Sequence, residues 1–197
     1  MLIYGRAFSF FLSLLIPFFL TRILVKEDYG SYQQLIMIYT IVQAILIFGM
    51  PQSLLYYFPR KETHEHPLLI KQTWTILLFS SLMVMAIFWL SSQIIGTHHL
   101  KEYLVLLGIY TSLMIFVMPI QNLLTLEGKI STAMWLMVFF TIIDLAVLPT
   151  AAWLNPTTLG IIHGIIVAAV LKAIMVLFHV YSTCLLYTSD AADDKQC

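Results

Sequence analysis

A chain of 197 residues that is 60% hydrophobic and 10% charged, with a mean hydropathy of +0.92, carries too little charge to cover a water-facing domain surface. Ten acids balance ten bases, and no nucleic-acid partner is expected. The apolar runs are continuous over roughly 17 to 25 residues, the length a helix needs to cross about 30 Å of hydrocarbon, rather than short and alternating as in a β-barrel. The expected fold class is therefore all-α, a polytopic membrane bundle of about six transmembrane helices.

The first helix is expected over about 2–24. Arg6, Ser9, Ser13 and Pro17 recur along it at three- and four-residue steps and share one face, which lines an aqueous cavity or packs on a neighbouring helix. A cleaved signal peptide does not fit, because Arg6 is the sole early base and the run ends in Arg22 and Lys26 rather than a small-residue cleavage site. In the turn Val25–Gly30, Gly30 is expected to take a positive φ, with Glu27 and Asp28 just ahead of the next helix N-terminus.

The second helix is expected over about 32–57, with Tyr32, Tyr39, Gln43 and Met50 on one stripe and a kink where Gly49 and Pro51 interrupt the backbone ladder. After a charged loop, a third helix is expected over 68–95. A fourth, over 103–126, places Tyr110, Met114 and Gln121 on one face and Pro119, Gln121 and Asn122 near its far end. The fifth, 131–153, buries Asp144 in its span. The sixth, 158–182, follows Asn155-Pro156, carries Gly160, Gly164 and Ala168 at four-residue spacing as a close-packing surface, and brings Lys172 near mid-membrane.

The tail from Cys184 to Cys197 resembles the in-frame translation of a transposon-derived sequencing adapter, so 184–197 is expected to be a disordered artefact and the natural part to end near Thr183. Without Asp190, Asp193, Asp194 and Lys195, the ten bases fall to nine and the ten acids to seven, a net charge of +2. Both cysteines lie in this tail and support no disulfide, metal or redox inference. Flanking bases orient the bundle: Arg6, Arg60, Lys61, Lys71 and Lys129 at one face against Arg22, Lys26 and Lys101 at the other place the N-terminus in the cytoplasm. Trp74, Trp89, Tyr103, Trp135 and Trp153 fall near span ends, as an interfacial belt requires.

Catalysis finds little support. An intramembrane aspartyl protease needs two carboxylates, and Asp144 is the one acid within a span. His163 has no nucleophile motif around it. Glu62-Thr-His-Glu-His66 and His98-His99 read as solvated loop residues rather than metal ligands, and no metal or cofactor is expected. The sharper constellation is Asp144 with Lys172, ionisable groups that a membrane interior tolerates only when paired or facing a wet cavity.

The stretches LTRILVKEDYGSYQQ (20–34) and FGMPQSLLYYFPR (48–60) resemble the N-terminal hairpin of bacterial polysaccharide flippases, the Wzx-like branch of the MOP exporter superfamily. The likeness lies in Arg22, in Glu27-Asp28-Tyr29-Gly30-Ser31-Tyr32 and in Gly49-Met50-Pro51; Pro119-Ile-Gln-Asn122 and Glu127-Gly-Lys129 extend it. The resemblance implies a multi-pass protein of the bacterial inner membrane that flips an undecaprenyl-pyrophosphate-linked oligosaccharide for surface polysaccharide (O-antigen, lipopolysaccharide) biosynthesis. Its partners would be the lipid bilayer, the lipid-linked oligosaccharide, and the polysaccharide polymerase and chain-length machinery. It implies two pseudo-symmetric lobes, of which these six helices resemble the N-terminal one, so the chain is expected to be an N-terminal fragment. The substrate-cavity candidates are Arg6, Arg22, Gln43, Gln121, Asn122, Asp144 and Lys172. Lys172, Arg6 and Arg22 would offer positive charge to the pyrophosphate, and Asp144 would hold Lys172 or exchange a proton, although Arg22 also suits snorkelling to the outer interface. A small-molecule or cation antiporter of the same superfamily is the alternative, ahead of a membrane enzyme or a structural subunit.

Overall fold

The computed structural model describes residues 2–46, 49–60, 66–94 and 98–193, and among them every regular element is helical. The elements are α1 (Leu2–Ile23), α2 (Lys26–Leu46), α3 (Met50–Tyr57), α4 (His66–Ile94), α5 (His98–Val117), α6 (Pro119–Leu126), α7 (Ile130–Leu154) and α8 (Thr158–Asp193), with one 3₁₀ turn at Phe58–Arg60. Among the described residues, five helical stretches are long and apolar enough to span a bilayer: Gly5–Ile23, Leu68–Ile94, Lys101–Leu126, Ile130–Leu154 and Thr158–Val180. The chain is a multi-pass all-α membrane bundle.

Several boundaries differ from expectation. Among the described residues the second expected span is two helices, and neither is one of the stretches long and apolar enough to cross a bilayer. It starts at Lys26 rather than Tyr32, because Glu27 and Asp28 suit the positive end of a helix and draw its first turn forward. Gly30 then sits inside α2 and has no positive φ. Lys26, Glu27, Asp28, Gln33 and Gln34 make this first half polar. Where a kink was expected, Gly49 adopts φ +65°, a left-handed conformation that ends helical propagation, and α3 begins afresh with Pro51 in its first turn, where a missing N–H costs nothing.

The fourth expected helix starts earlier, at His98, and divides at Pro119 into α5 and α6. Gly128, at φ +75°, closes α6 as a left-handed cap, with the Lys129 N–H donating to Leu124 O at 2.9 Å. Helix α8 continues to Asp193, beyond the expected 182 and through most of the adapter-like tail, which contains no glycine or proline to stop it. Residues 194–197 of that tail lie outside the described residues.

The long helices form a row in the order α4, α5, α8, α7, α1, with α2 laid across α5, α8 and α1. Helix α8 is central: Ile161, Ile162, Ile165, Ala168, Ala169, Ala173 and Val176 are buried. Of the Gly160–Gly164–Ala168 stripe, Gly164 lies against α7, Gly160 against Asn155 in the turn that follows it, and Ala168 is buried. A Cβ on Gly164 would stand 2.6 Å from Ala151 Cβ, and one on Gly160 would strike Asn155 O. The outward faces carry large exposed apolar side chains, such as Phe8, Phe11 and Phe18 on α1 and Phe79 and Leu82 on α4, a surface suited to lipid rather than water.

One tie joins the two helical turns at the end of the bundle where α1 and α7 finish. Asp28 Oδ1 accepts from the backbone N–H of Thr158 at 3.0 Å and from its hydroxyl at 2.6 Å, so an acid of α2 caps the first turn of α8. These residues are too far apart in sequence for spacing to reveal the contact.

Candidate functional site

Asp144 lies about 21 Å from the start of α7 and about 15 Å from its end at 1.5 Å per residue, so it stands at mid-span. Lys172 of α8 meets it with Nζ 2.6 Å from Oδ1 and 2.7 Å from Oδ2, a bidentate ion pair. The two helices are adjacent in the row and the glycine stripe sets them close, which brings a carboxylate and an ammonium within reach across the hairpin. Pairing explains why both groups tolerate this depth.

The two partners are not equally enclosed. The Lys172 side chain is 7% exposed and that of Asp144 is 30% exposed. The Lys172 Nζ is also 5.9 Å from the Phe140 ring centroid, near the range in which an aromatic face helps hold a cation.

Asp144 faces a cleft of about 260 Å³ bounded by Ser13, Ile16 and Pro17 of α1, Tyr32 and Ile36 of α2, Tyr110 of α5, Leu148 of α7 and Ile165 of α8. Thus the α1 face expected from Arg6, Ser9, Ser13 and Pro17 divides along its length: Ser13 and Pro17 reach the cleft, Ser9 is buried, and Arg6 is exposed outside it. Ser13 Oγ donates its one proton to Phe10 O at 2.7 Å, so its oxygen keeps acceptor capacity.

Beside the cleft one residue of each expected stripe meets the other, Tyr39 of α2 and Tyr110 of α5. The Tyr39 and Tyr110 rings are 4.7 Å apart, and Gln43 Nε2 lies 3.5 Å from Met118 Sδ. Polar side chains therefore follow one another from Ser13 and Tyr32 past Asp144 and Tyr110 to Tyr39 and Gln43, with Tyr32 and Tyr39 buried and Ser13 exposed. Periodicity put Tyr39 and Tyr110 on their helix faces but could not pair them, and Gln121 of the expected Tyr110 face falls instead on the separate helix α6.

The other candidates stand apart from this cleft. Arg6 is exposed on α1. Arg22 is exposed at the far end of α1 with its guanidinium 4.3 Å over the Phe18 ring, the snorkelling disposition considered for it. Gln121 and Asn122 are half-buried on α6, near the opposite end of the bundle from Arg22. The expectation that Lys172, Arg6 and Arg22 together present positive charge is not met by this geometry. Lys172 is turned onto Asp144, neither arginine lines the cleft, and no Lys or Arg appears among the described residues that bound it.

Residues 61–65, which hold most of the loop considered as a metal motif, lie outside the described residues, and among the described ones no three His, Cys, Asp or Glu are grouped to hold a metal ion.

A family model described as "Polysaccharide biosynthesis protein" matches residues 19–191. No curated protein and no solved structure matches the chain.

Proposed function

The chain belongs to the polysaccharide biosynthesis protein family, and from that membership we propose that it serves as a flippase, moving an undecaprenyl-pyrophosphate-linked oligosaccharide across the bacterial inner membrane. The observation that supports this reading is the polar cleft with Asp144 at mid-span, opening among helices whose outer faces are apolar. A hydrophilic head that must cross hydrocarbon needs such an interior, since each unsatisfied polar group in lipid costs several kcal/mol.

In this reading no bond is broken. The head passes along the interior that α1 to α8 bound, and the N-terminus faces the cytoplasm. The polymerase and chain-length machinery take the exported unit. The test is complementation. The gene encoding this sequence, expressed in a strain lacking its own flippase, restores surface polysaccharide; normal membrane expression without restoration refutes the proposal.

One observation favours a second reading. The cleft presents a carboxylate rather than a base, as a cation or small-molecule antiporter would. Cation-dependent efflux of cationic dyes, in place of polysaccharide restoration, distinguishes it.

A further inference from the structure

We propose that the cleft between α1, α2, α5, α7 and α8 is a subsite for one uncharged, hydroxyl-rich sugar ring, with Asp144 accepting hydrogen bonds from its hydroxyls and Tyr32 and Tyr110 walling it. This rests on the flippase reading for its biological ligand and states which part of that ligand the cleft receives: the glycan and not the pyrophosphate.

Charge separates the alternatives. A pyrophosphate entering the cleft meets the Asp144 carboxylate first, while the balancing ammonium of Lys172 lies behind it, 7% exposed, with both carboxylate oxygens already on its Nζ at 2.6 and 2.7 Å. Like charges at low dielectric repel strongly, and no Lys or Arg among the described lining residues offsets this. A metal ion is disfavoured because Lys172 Nζ already sits on both carboxylate oxygens, at 2.6 and 2.7 Å, and would have to be displaced from them. Protonating Asp144 would strand a buried ammonium. Among the described residues lining the cleft, the other titratable side chains are the phenols of Tyr32 and Tyr110, with Tyr39 behind Tyr110, all donors or acceptors of hydrogen bonds.

What the pair offers is therefore an acceptor. An ionised carboxylate has about four lone-pair sites, of which Lys172 engages two, so the remainder suit hydroxyl donors. Charge-assisted hydrogen bonds of this kind are the stronger class. Ser13 adds a hydroxyl on the opposite wall, and Ile16, Ile36 and Ile165 complete an apolar and aromatic lining that fits the C–H faces of a pyranose. At about 260 Å³ the cleft lies just under the roughly 300–1,000 Å³ typical of drug-sized ligands, which suits one ring rather than a chain of them.

The test is binding by the purified full chain in nanodiscs, read by saturation-transfer NMR with the methyl glycosides of glucose, galactose and N-acetylglucosamine, and with inorganic pyrophosphate as competitor. At least one glycoside saturates, and pyrophosphate does not displace it. Ser13→Trp, which fills the cleft without touching the ion pair, weakens binding about tenfold or more. Should Ser13→Trp melt early, Ile36→Trp fills the cleft from the other wall with the same expected loss. The proposal is overturned if no glycoside saturates, if pyrophosphate competes, or if the folded cleft-filling variant binds as the parent does. Because no transport is measured, glycoside binding with failed complementation removes the flippase reading and leaves the subsite, and the reverse outcome removes the subsite alone.

Discussion

Neutralising one member of the Asp144–Lys172 pair is predicted to harm the protein unequally, and neutralising both to be tolerated. Asp144→Asn leaves an ammonium that is 7% exposed with no counter-charge, the situation for which breaking a buried pair costs about 3–5 kcal/mol. Lys172→Met leaves a carboxylate that keeps 30% exposure toward the cleft, so water reaches it and the cost falls to about 2 kcal/mol. For a chain of this size, with about 2–4 °C of melting temperature per kcal/mol, the first loss is roughly 6–20 °C and the second roughly 4–8 °C. The double variant Asp144→Asn/Lys172→Met removes both charges and returns to within about 1 kcal/mol of the parent, since a buried pair replaced by neutral groups is often tolerated. Melting of the purified protein in one detergent, followed by loss of monodisperse elution, measures all four. A double variant that loses the sum of the two single losses refutes the pairing, because independent sites add and coupled ones do not.

Three further predictions use the same melting assay. Asp28→Ala removes both hydrogen bonds to Thr158 and costs about 1–2 kcal/mol, with faster amide exchange at the start of α8, whereas Asp28→Asn keeps an accepting oxygen and costs less. Gly164→Val drives α7 and α8 apart, because even a Cβ there stands 2.6 Å from Ala151 Cβ; about 1–3 kcal/mol is lost, while Gly30→Ala, which meets nothing within 4 Å, gains up to about 1 kcal/mol. Gly49→Ala costs about 1–2 kcal/mol for its left-handed φ of +65°.

Legibility in the sequence followed the range of the interaction. The spans were readable because continuous apolar runs have no other economical home, and the Gly160–Gly164–Ala168 spacing pointed to close packing because three- and four-residue periodicity is a local property. Asp144 and Lys172 stood out because charge at that depth requires a partner, and the α7–α8 hairpin made each the nearest choice for the other. The start of α2 was misplaced because its polar first half reads as a loop, although Glu27 and Asp28 are favourable at a helix N-terminus. Asp28 meeting Thr158 and Tyr39 meeting Tyr110 are tertiary facts with no local signature. The direction in which the ion pair points was likewise hidden: spacing cannot tell whether the acid or the base faces the cleft, and that choice reversed the expected charge of the site.

The most direct measurement of the central claim is flipping itself. Liposomes containing the full chain and a fluorescent undecaprenyl-pyrophosphate oligosaccharide are treated with an impermeant quencher. The account predicts that quenching passes beyond the outer-leaflet half toward completion, and that Ser13→Trp, which fills the cleft, slows it to the rate of protein-free liposomes. Quenching that stops at the outer-leaflet half with the folded parent protein contradicts the account.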